Sequence, residues 1–342
     1  MDDTPVSNNP DGRIAQRNAL PVLDLEPFLA GEDGAEERLA LELRAACESL
    51  GFFYLKNHGI DKGLIKRAFT ETERFHSQSQ EAKNALTINQ NQRGYIRPGA
   101  TLVRHSTYNE NTKFDSNETM VLATEYGPDD PNRLAGKRFY GENQWPEDLP
   151  GFRETVEEYM QTMTAFGKSL LPIWARALDL PRGFFAPYFE NNYTYLRLAH
   201  YPPVPDLGDN EFGLGPHADT GFMTLLPQAD VDGLEVLDPD GNWFRPPRMA
   251  GEILVNTGQF AERWSNERFR ASPHRVIPPI DKDRYSVAVF VNTAFEPVCE
   301  CLPGCCSPDN PPKYGPETYW DFYNWYMTNA YPHYDEFAEG TA

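Results

Sequence analysis

Apolar residues recur at two different periods along this chain, and the change of period divides it. From Glu36 to Leu50, the residues Leu39, Leu43, Ala46, Cys47 and Leu50 fall three or four apart, and Gly51 then stops the pattern. That spacing predicts an amphipathic helix closed by a C-terminal glycine. LPVLDL (20–25) before it reads as a short strand, and FFYLKNHGI (52–60) after it as a strand running into a turn that holds His58. A second helix presents Leu64, Ala68, Phe69, Thr72 and Phe75 on one side. A long third helix is predicted from Phe152 to Leu178, with Val156, Tyr159, Met163, Phe166, Leu170, Ile173 and Trp174 in one stripe that reads as core packing. Residues 78–150 keep no period and read as loops and short strands laid over a core.

After Pro181 the runs shorten and alternate. YTYLRLAHY (193–201), GFMTLLPQ (221–228), GLEVLD (233–238), NWFRP (242–246), EILVNTG (252–258) and RYSVAVFVN (284–292) are strand candidates, and DPDG (238–241) is a hairpin turn between two of them. This is the rhythm of a β-sandwich or barrel, not of alternating βαβ units. The aromatic stretch 319–334 predicts a helix packed back on the strands. The expected organisation is a flexible arm at 1–18, a helical and loop region at 19–150, the long helix, β core and last helix at 151–334, and a tail at 335–342, all in one catalytic unit.

Charge narrows the range of partners. Among 342 residues there are 31 Lys and Arg against 51 Asp and Glu, a formal net charge of −20. A reader of nucleic-acid phosphates, or a protein held on an anionic membrane, needs the opposite sign. Five cysteines are too few and too unevenly placed for a disulfide framework, and fit a reducing, cytoplasmic setting. Cys299, Cys301, Cys305 and Cys306 lack the paired spacing of a structural zinc site and read as ordinary thiols. The N-terminus is acidic where a signal peptide is basic. The longest apolar run, near Val287–Val291, is far shorter than the ~18 residues of a membrane span.

The candidate chemistry lies in the β region, in PHADTG (216–221), SPHRV (272–276) and RYS (284–286). Residues i and i+2 of a strand share a face, so His217 and Asp219 can present an imidazole and a carboxylate to one point. His274 could reach that point from another strand of a closed sheet. Two histidines and one carboxylate on one face leave three positions of an octahedral metal open, the arrangement of non-haem Fe(II) oxygenases. Arg284 and Ser286 share a face by the same rule. A guanidinium with a hydroxyl beside it suits the far carboxylate of a dicarboxylic acid, as 2-oxoglutarate binding requires. His200 points to the other face of its strand.

With these residues in view, the chain resembles the isopenicillin N synthase-like branch of the Fe(II)/2-oxoglutarate-dependent dioxygenases. The likeness runs from about Leu20 to Tyr326 and includes GFFYLKNHGI, RGY (93–95), LRLAHYPP (196–203), LVNTGQFAERWSN (254–266) and NPPKYGPETY (310–319). It implies a mainly β fold with flanking helices: a double-stranded β-helix (jelly-roll, cupin-like) core with a helical N-terminal region. It implies His217, Asp219 and His274 as iron ligands, and Arg284, Ser286 and Tyr201 as the grip on 2-oxoglutarate. Phe290, Asn292, Arg93 and Tyr95 are implied as substrate-facing. The implied activity consumes O2 and 2-oxoglutarate, releases succinate and CO2, and hydroxylates, desaturates or cyclises a small organic molecule. A monomer or weak homo-oligomer is expected.

Two positions depart from the family pattern. Ala199 stands where many relatives have asparagine, and Gln259 replaces an aspartate that is generally structural. Ala199 leaves open an iron oxidase of the isopenicillin N synthase type, which works without 2-oxoglutarate. A non-catalytic binding barrel would not need three intact ligands. A zinc hydrolase would lack a general base and leave Arg284 and Ser286 unexplained.

Overall fold

A computed structural model describes residues 20–103 and 108–330; the arm expected at 1–18 and the tail at 335–342 lie outside the described residues. β1 (Val22–Asp24), the single turn α1 (Glu26–Leu29) and α2 (Ala35–Ser49) lead into β2 (Phe52–Lys56). α2 buries Leu39, Leu43, Ala46 and Cys47, and the chain leaves it through Gly51 at φ +76°. A side chain at Gly51 would stand 2.0 Å from the Arg270 carbonyl oxygen, so the conformation and the space both require glycine. α3 (Lys62–His76) starts at Asp61, whose carboxylate accepts from the amides of Gly63 and Leu64.

The aperiodic stretch 78–150 holds α4 (Gln80–Asn84), β3 (Gly94–Ile96), β4 (Glu118–Ala123) and α5 (Pro131–Leu134). β4 is buried along its whole length, so this part is not only a cover laid over a core. Burial on both faces removes the alternation that would have marked the strand. The single helix expected at 152–178 is in fact two, α6 (Phe152–Ser169) and α7 (Leu171–Ala177). Pro172 has no N–H for the carbonyl four residues back, and its ring clashes there, so the helix restarts with proline in its first turn.

The β region follows as β5 (Thr194–Tyr201), β6 (Leu214–His217), β7 (Met223–Pro227), β8 (Leu234–Leu237), β9 (Trp243–Phe244), β10 (Ile253–Thr257), α8 (Gln259–Trp264), β11 (His274–Val276) and β12 (Arg284–Val291). β13 (Val298–Cys299), β14 (Glu317–Thr318) and α9 (Tyr319–Ala330) complete it. The large sheet has the order β1-β2-β10-β7-β12-β5-β4-β3, and the small one β6-β11-β8-β9. The two remain separate sheets and do not close into one barrel.

Alternation along the central strands assigns their faces. Val287, Val289 and Val291 of β12 pack toward α3 and α6, and Tyr159 of α6 donates its hydroxyl to the Val287 carbonyl at 2.8 Å. Arg284, Ser286, Ala288 and Phe290 point the other way, into a cavity they share with residues of the small sheet. Phe52, Tyr54 and Leu254 meet Val236 and Phe244 in a second apolar cluster between the sheets. One face of the large sheet therefore carries the main core, and the other looks into the cavity.

Candidate active site

β6 and β11 are antiparallel neighbours, and their register sets His217 directly opposite His274, with ring centroids 4.4 Å apart. Asp219 is not on the strand. It lies in the turn after β6, so strand alternation is not what brings it in. The turn folds back because the Gln259 amide donates to the Asp219 carbonyl at 2.7 Å and the Gln259 side chain donates to the Ala218 carbonyl at 2.8 Å. The unexpected glutamine thus holds the backbone of the turn.

All three side chains are buried. Asp219 Oδ1 lies 3.7 Å from His217 Nε2 and 3.6 Å from His274 Nε2. Its other oxygen, Oδ2, accepts from Thr224 Oγ1 at 2.6 Å and Asn256 Nδ2 at 2.7 Å. His217 Nδ1 is 2.8 Å from the Gly215 carbonyl and His274 Nδ1 is 3.3 Å from the Ser272 carbonyl, so the outer nitrogens carry protons and both Nε2 atoms face Oδ1. Burial and the neighbouring His274 push His217 down to about 3, keeping its imidazole neutral. Burial opposes the charge of Asp219, yet His274, His217 and Asn256 outweigh it and hold the carboxyl well below its ordinary range. Burial likewise opposes a charge on His274, and Asp219 overcomes it and raises that group. One oxygen and two nitrogens with open space on one side can hold a divalent metal.

The cavity beside these residues ends in Arg284 and Ser286, with Tyr201, Ala199, Leu214 and Val276 on its walls. Tyr201 sits opposite Arg284 in the β5–β12 register, and its ring centroid is 4.7 Å from the guanidinium carbon. The guanidinium is buried, and its Nε and Nη1 have no hydrogen-bond partner. Burial pulls Arg284 down, although Tyr201 opposes the shift. Two buried guanidinium donors left unanswered in this pocket fit an incoming anion such as a carboxylate.

The chain matches the family model described as non-haem dioxygenase in morphine synthesis N-terminal over residues 20–148, and that of the 2OG-Fe(II) oxygenase superfamily over 189–293. A 2-oxoglutarate-Fe(II) type oxidoreductase of Emericella nidulans is 36% identical over 308 residues, covering 88% of this chain and 87% of that protein. The chain belongs to the 2-oxoglutarate/Fe(II) oxygenase superfamily. Kihadalactone A synthase of Citrus sinensis is 34% identical, with 89% of this chain and 91% of that protein covered. A full-length Neurospora crassa protein, crystallised in complex with alpha-KG, has TM-score 0.77 at 26% identity, over 89% of this chain and 94% of that one. The core is thus the superfamily's jelly roll, and the protein is an Fe(II)- and 2-oxoglutarate-dependent oxygenase acting on a small molecule. Among the described residues, no helix is long and apolar enough to cross a membrane.

Of the residues expected to face this oxygenase's substrate, the structure brings only Phe290 to the cavity, where it stacks on Tyr195 at 4.2 Å. Asn292 is fully buried beside the metal-facing turn; its Oδ1 accepts from the Phe222 amide at 2.9 Å and its Nδ2 donates to the Phe290 carbonyl. Arg93 is also fully buried and donates to the carbonyls of Asn91, Thr124 and Phe139. Tyr95 is turned to Glu118 on the opposite side of the large sheet. These three lie away from the cavity, and most of their polar atoms are taken up by backbone groups, the Tyr193 hydroxyl and a buried carboxylate. His58 Nδ1 closes its turn by accepting from the Ile60 amide at 3.1 Å, and its Nε2 reaches the Gly251 carbonyl at 3.0 Å. The thiols of the cysteine cluster are free, and burial pushes Cys299 up to about 12.

Residues not singled out from the sequence complete the surroundings. Thr224 and Asn256 orient Asp219, and Arg197 of β5 lines the cavity. Asp115 Oδ1 accepts from the Gly215 amide at 2.7 Å, anchoring β6, and burial pushes its carboxyl up to about 7 against the opposing pull of that amide, Thr101 and Arg197. On the outer face of the sheet, Glu118 accepts from Lys83 Nζ at 2.8 Å, His200 Nδ1 at 2.8 Å and the Tyr95 hydroxyl. His200 also reaches Asp283 at 2.7 Å through Nε2. The i, i+2 rule that gives the paired faces of β12 was the available signal for Arg197, which shares its face with Ala199 and Tyr201.

Proposed function

We propose that His217 Nε2, Asp219 Oδ1 and His274 Nε2 hold the Fe(II) of this oxygenase, and that Arg284, Ser286 and Tyr201 hold the distal carboxylate of 2-oxoglutarate. When bound, iron and 2-oxoglutarate supply O2 activation coupled to release of succinate and CO2. The protein contributes orientation and dryness. Gly215 and Ser272 carbonyls fix the imidazole tautomers, and Thr224 and Asn256 leave one Asp219 oxygen for the metal. Arg284 supplies charge at the far end of the cavity, the Ser286 hydroxyl lies two residues on along the same face, and Leu214, Val276 and Ala288 exclude water between the two ends.

The observation that carries this reading is the buried Arg284 guanidinium, two of its nitrogens unpaired, in the same cavity as the three metal-facing side chains. It favours 2-oxoglutarate use over an iron oxidase that needs none, despite Ala199. The outcome on the substrate is hydroxylation, desaturation or ring closure. The formal net charge of −20 speaks against a nucleic-acid or anionic-membrane partner and the sparse cysteines favour a cytoplasmic setting, in which the protein works as a monomer or weak homo-oligomer. Two measurements test the assignment. Arg284→Gln should weaken 2-oxoglutarate binding by about 100-fold, a buried charge-assisted pair being worth roughly 3 kcal/mol, and leave Fe(II) affinity intact. His217→Ala should lose Fe(II) in anaerobic titration. No succinate formed per O2 consumed, with any substrate, would reject the reading.

A further inference from the structure

His217 and Asp219 also border a second cavity, which Arg284 and Ser286 do not line. Tyr195 and Phe290, parallel to within 7°, form one wall, and Tyr323, Tyr326 and Met327 of α9 form another. Thr101 and Thr220 line this aromatic enclosure too, and two larger polar side chains enter it. Arg197 reaches it from β5. Gln92 reaches it from the turn before β3, where the chain adopts φ +58°, and the side chain is 5% exposed with Nε2 lacking any hydrogen-bond partner. A buried amide donor without an acceptor is costly, and a ligand oxygen would relieve it.

We propose that this chamber takes a small planar aromatic acid, its ring among Tyr195, Phe290, Tyr323 and Tyr326 and its carboxylate answered by Arg197 and Gln92 Nε2. The inference rests on the iron-site reading above, which puts the metal at the chamber's edge. Arg197 and Gln92 Nε2 are donors, and the unpaired Thr220 hydroxyl at the same chamber can donate as well, so the ligand is expected to bring acceptors. Arg197 adds positive charge, so an anion is preferred over a neutral amide. Asp219 is the one acid among the lining residues, and a bound metal would offset its charge. The ring walls favour a flat apolar body over a saturated one.

Calorimetric titration of the Zn(II)-loaded protein, saturated with 2-oxoglutarate, tests this with benzoate, benzamide and cyclohexanecarboxylate. Benzoate should bind at least about tenfold more tightly than either of the others. Arg197→Gln should abolish its advantage over benzamide, and Gln92→Leu should weaken benzoate several-fold. Should the arginine variant fail to fold, Gln92→Leu still decides. Equal affinity for the three probes, no benzoate binding, or a benzoate preference that survives the variants would overturn the proposal. A larger loss of 2-oxoglutarate than of benzoate in Arg197→Gln would also overturn it, by assigning that arginine to the cosubstrate. If Zn(II) or 2-oxoglutarate fails to bind the wild type, the iron-site reading falls and this proposal falls with it.

Discussion

Asp219 divides its two oxygens between two tasks, and the division depends on residues far away in the chain. Oδ1 faces the imidazoles, while Oδ2 is held by Thr224 from β7 and Asn256 from β10. Removing one of these two donors would loosen the carboxylate and let it offer either oxygen. Asn256→Ala is therefore expected to weaken Fe(II) binding by about 10–100-fold, the usual cost of losing an outer-shell partner, with the fold retained by circular dichroism. Anaerobic metal titration checks it; unchanged affinity would mean that Asn256 only fills space. The ligand types were legible because His-x-Asp and a later histidine carry their chemistry in their identities. Thr224 and Asn256 were not, since a threonine and an asparagine in strands are ordinary until the register aligns them. Arg93 and Asn292 show the converse: polar side chains on promising segments can be turned away from the cavity and bound largely to backbone groups.

Among the elements, the turn from β6 to β7 carries the most constraint. Strand alternation suggested that His217 and Asp219 share a face, but Asp219 reaches the site because the turn is pinned to α8 through Gln259 and to the chain after β12 through Asn292. The fit is tight at Gly221, where an added Cβ would lie 1.8 Å from Asn292 Oδ1. Gly221→Ala must therefore move either the turn or Asn292. It is expected to cost about 1–3 kcal/mol of stability, as overpacking does, and to lower Fe(II) affinity as well, because Asp219 moves with the turn. Equilibrium denaturation and metal titration on the same preparation read the two effects, and a stability loss without a metal effect would uncouple turn from site. The period of the sequence revealed α2, α3 and most strands of the β region. It missed β4, whose two buried faces show no alternation, and it ran α6 into α7 because an apolar stripe continues across Pro172 even though the backbone hydrogen bonds cannot.

At the scale of the whole molecule, the large sheet separates two polar systems. Arg284, Ser286 and Tyr201 face the cavity, while the residues between them, Tyr285 and His200, stack at 4.8 Å on the opposite side. There Glu118 gathers Lys83, Tyr95 and His200, so that α4, β3, β4 and β5 are tied together behind the clamp, with Asp283 at the start of β12 as the second partner of His200. Burial opposes a charge on His200, but Glu118 and Asp283 outweigh it and raise the group above its ordinary value. Its folded form thus binds its proton more tightly than the unfolded chain. The resulting stabilisation is complete below the unfolded histidine value of about 6.5 and is lost as pH rises through the raised folded value. Burial lowers the neighbouring His76 in opposition to Glu118, so that residue disfavours folding as pH falls below about 6.5, and the two effects must be separated. The difference in unfolding free energy between wild type and His200→Gln reads mainly the first, His76 being present in both although His200 contributes to its lowering. That difference should be largest at and below about pH 6.5 and shrink as pH rises through the raised value. A difference that stays flat across this range, or grows with pH, would show that His200 is uncharged in the folded protein and that Glu118 is balanced by Lys83 alone.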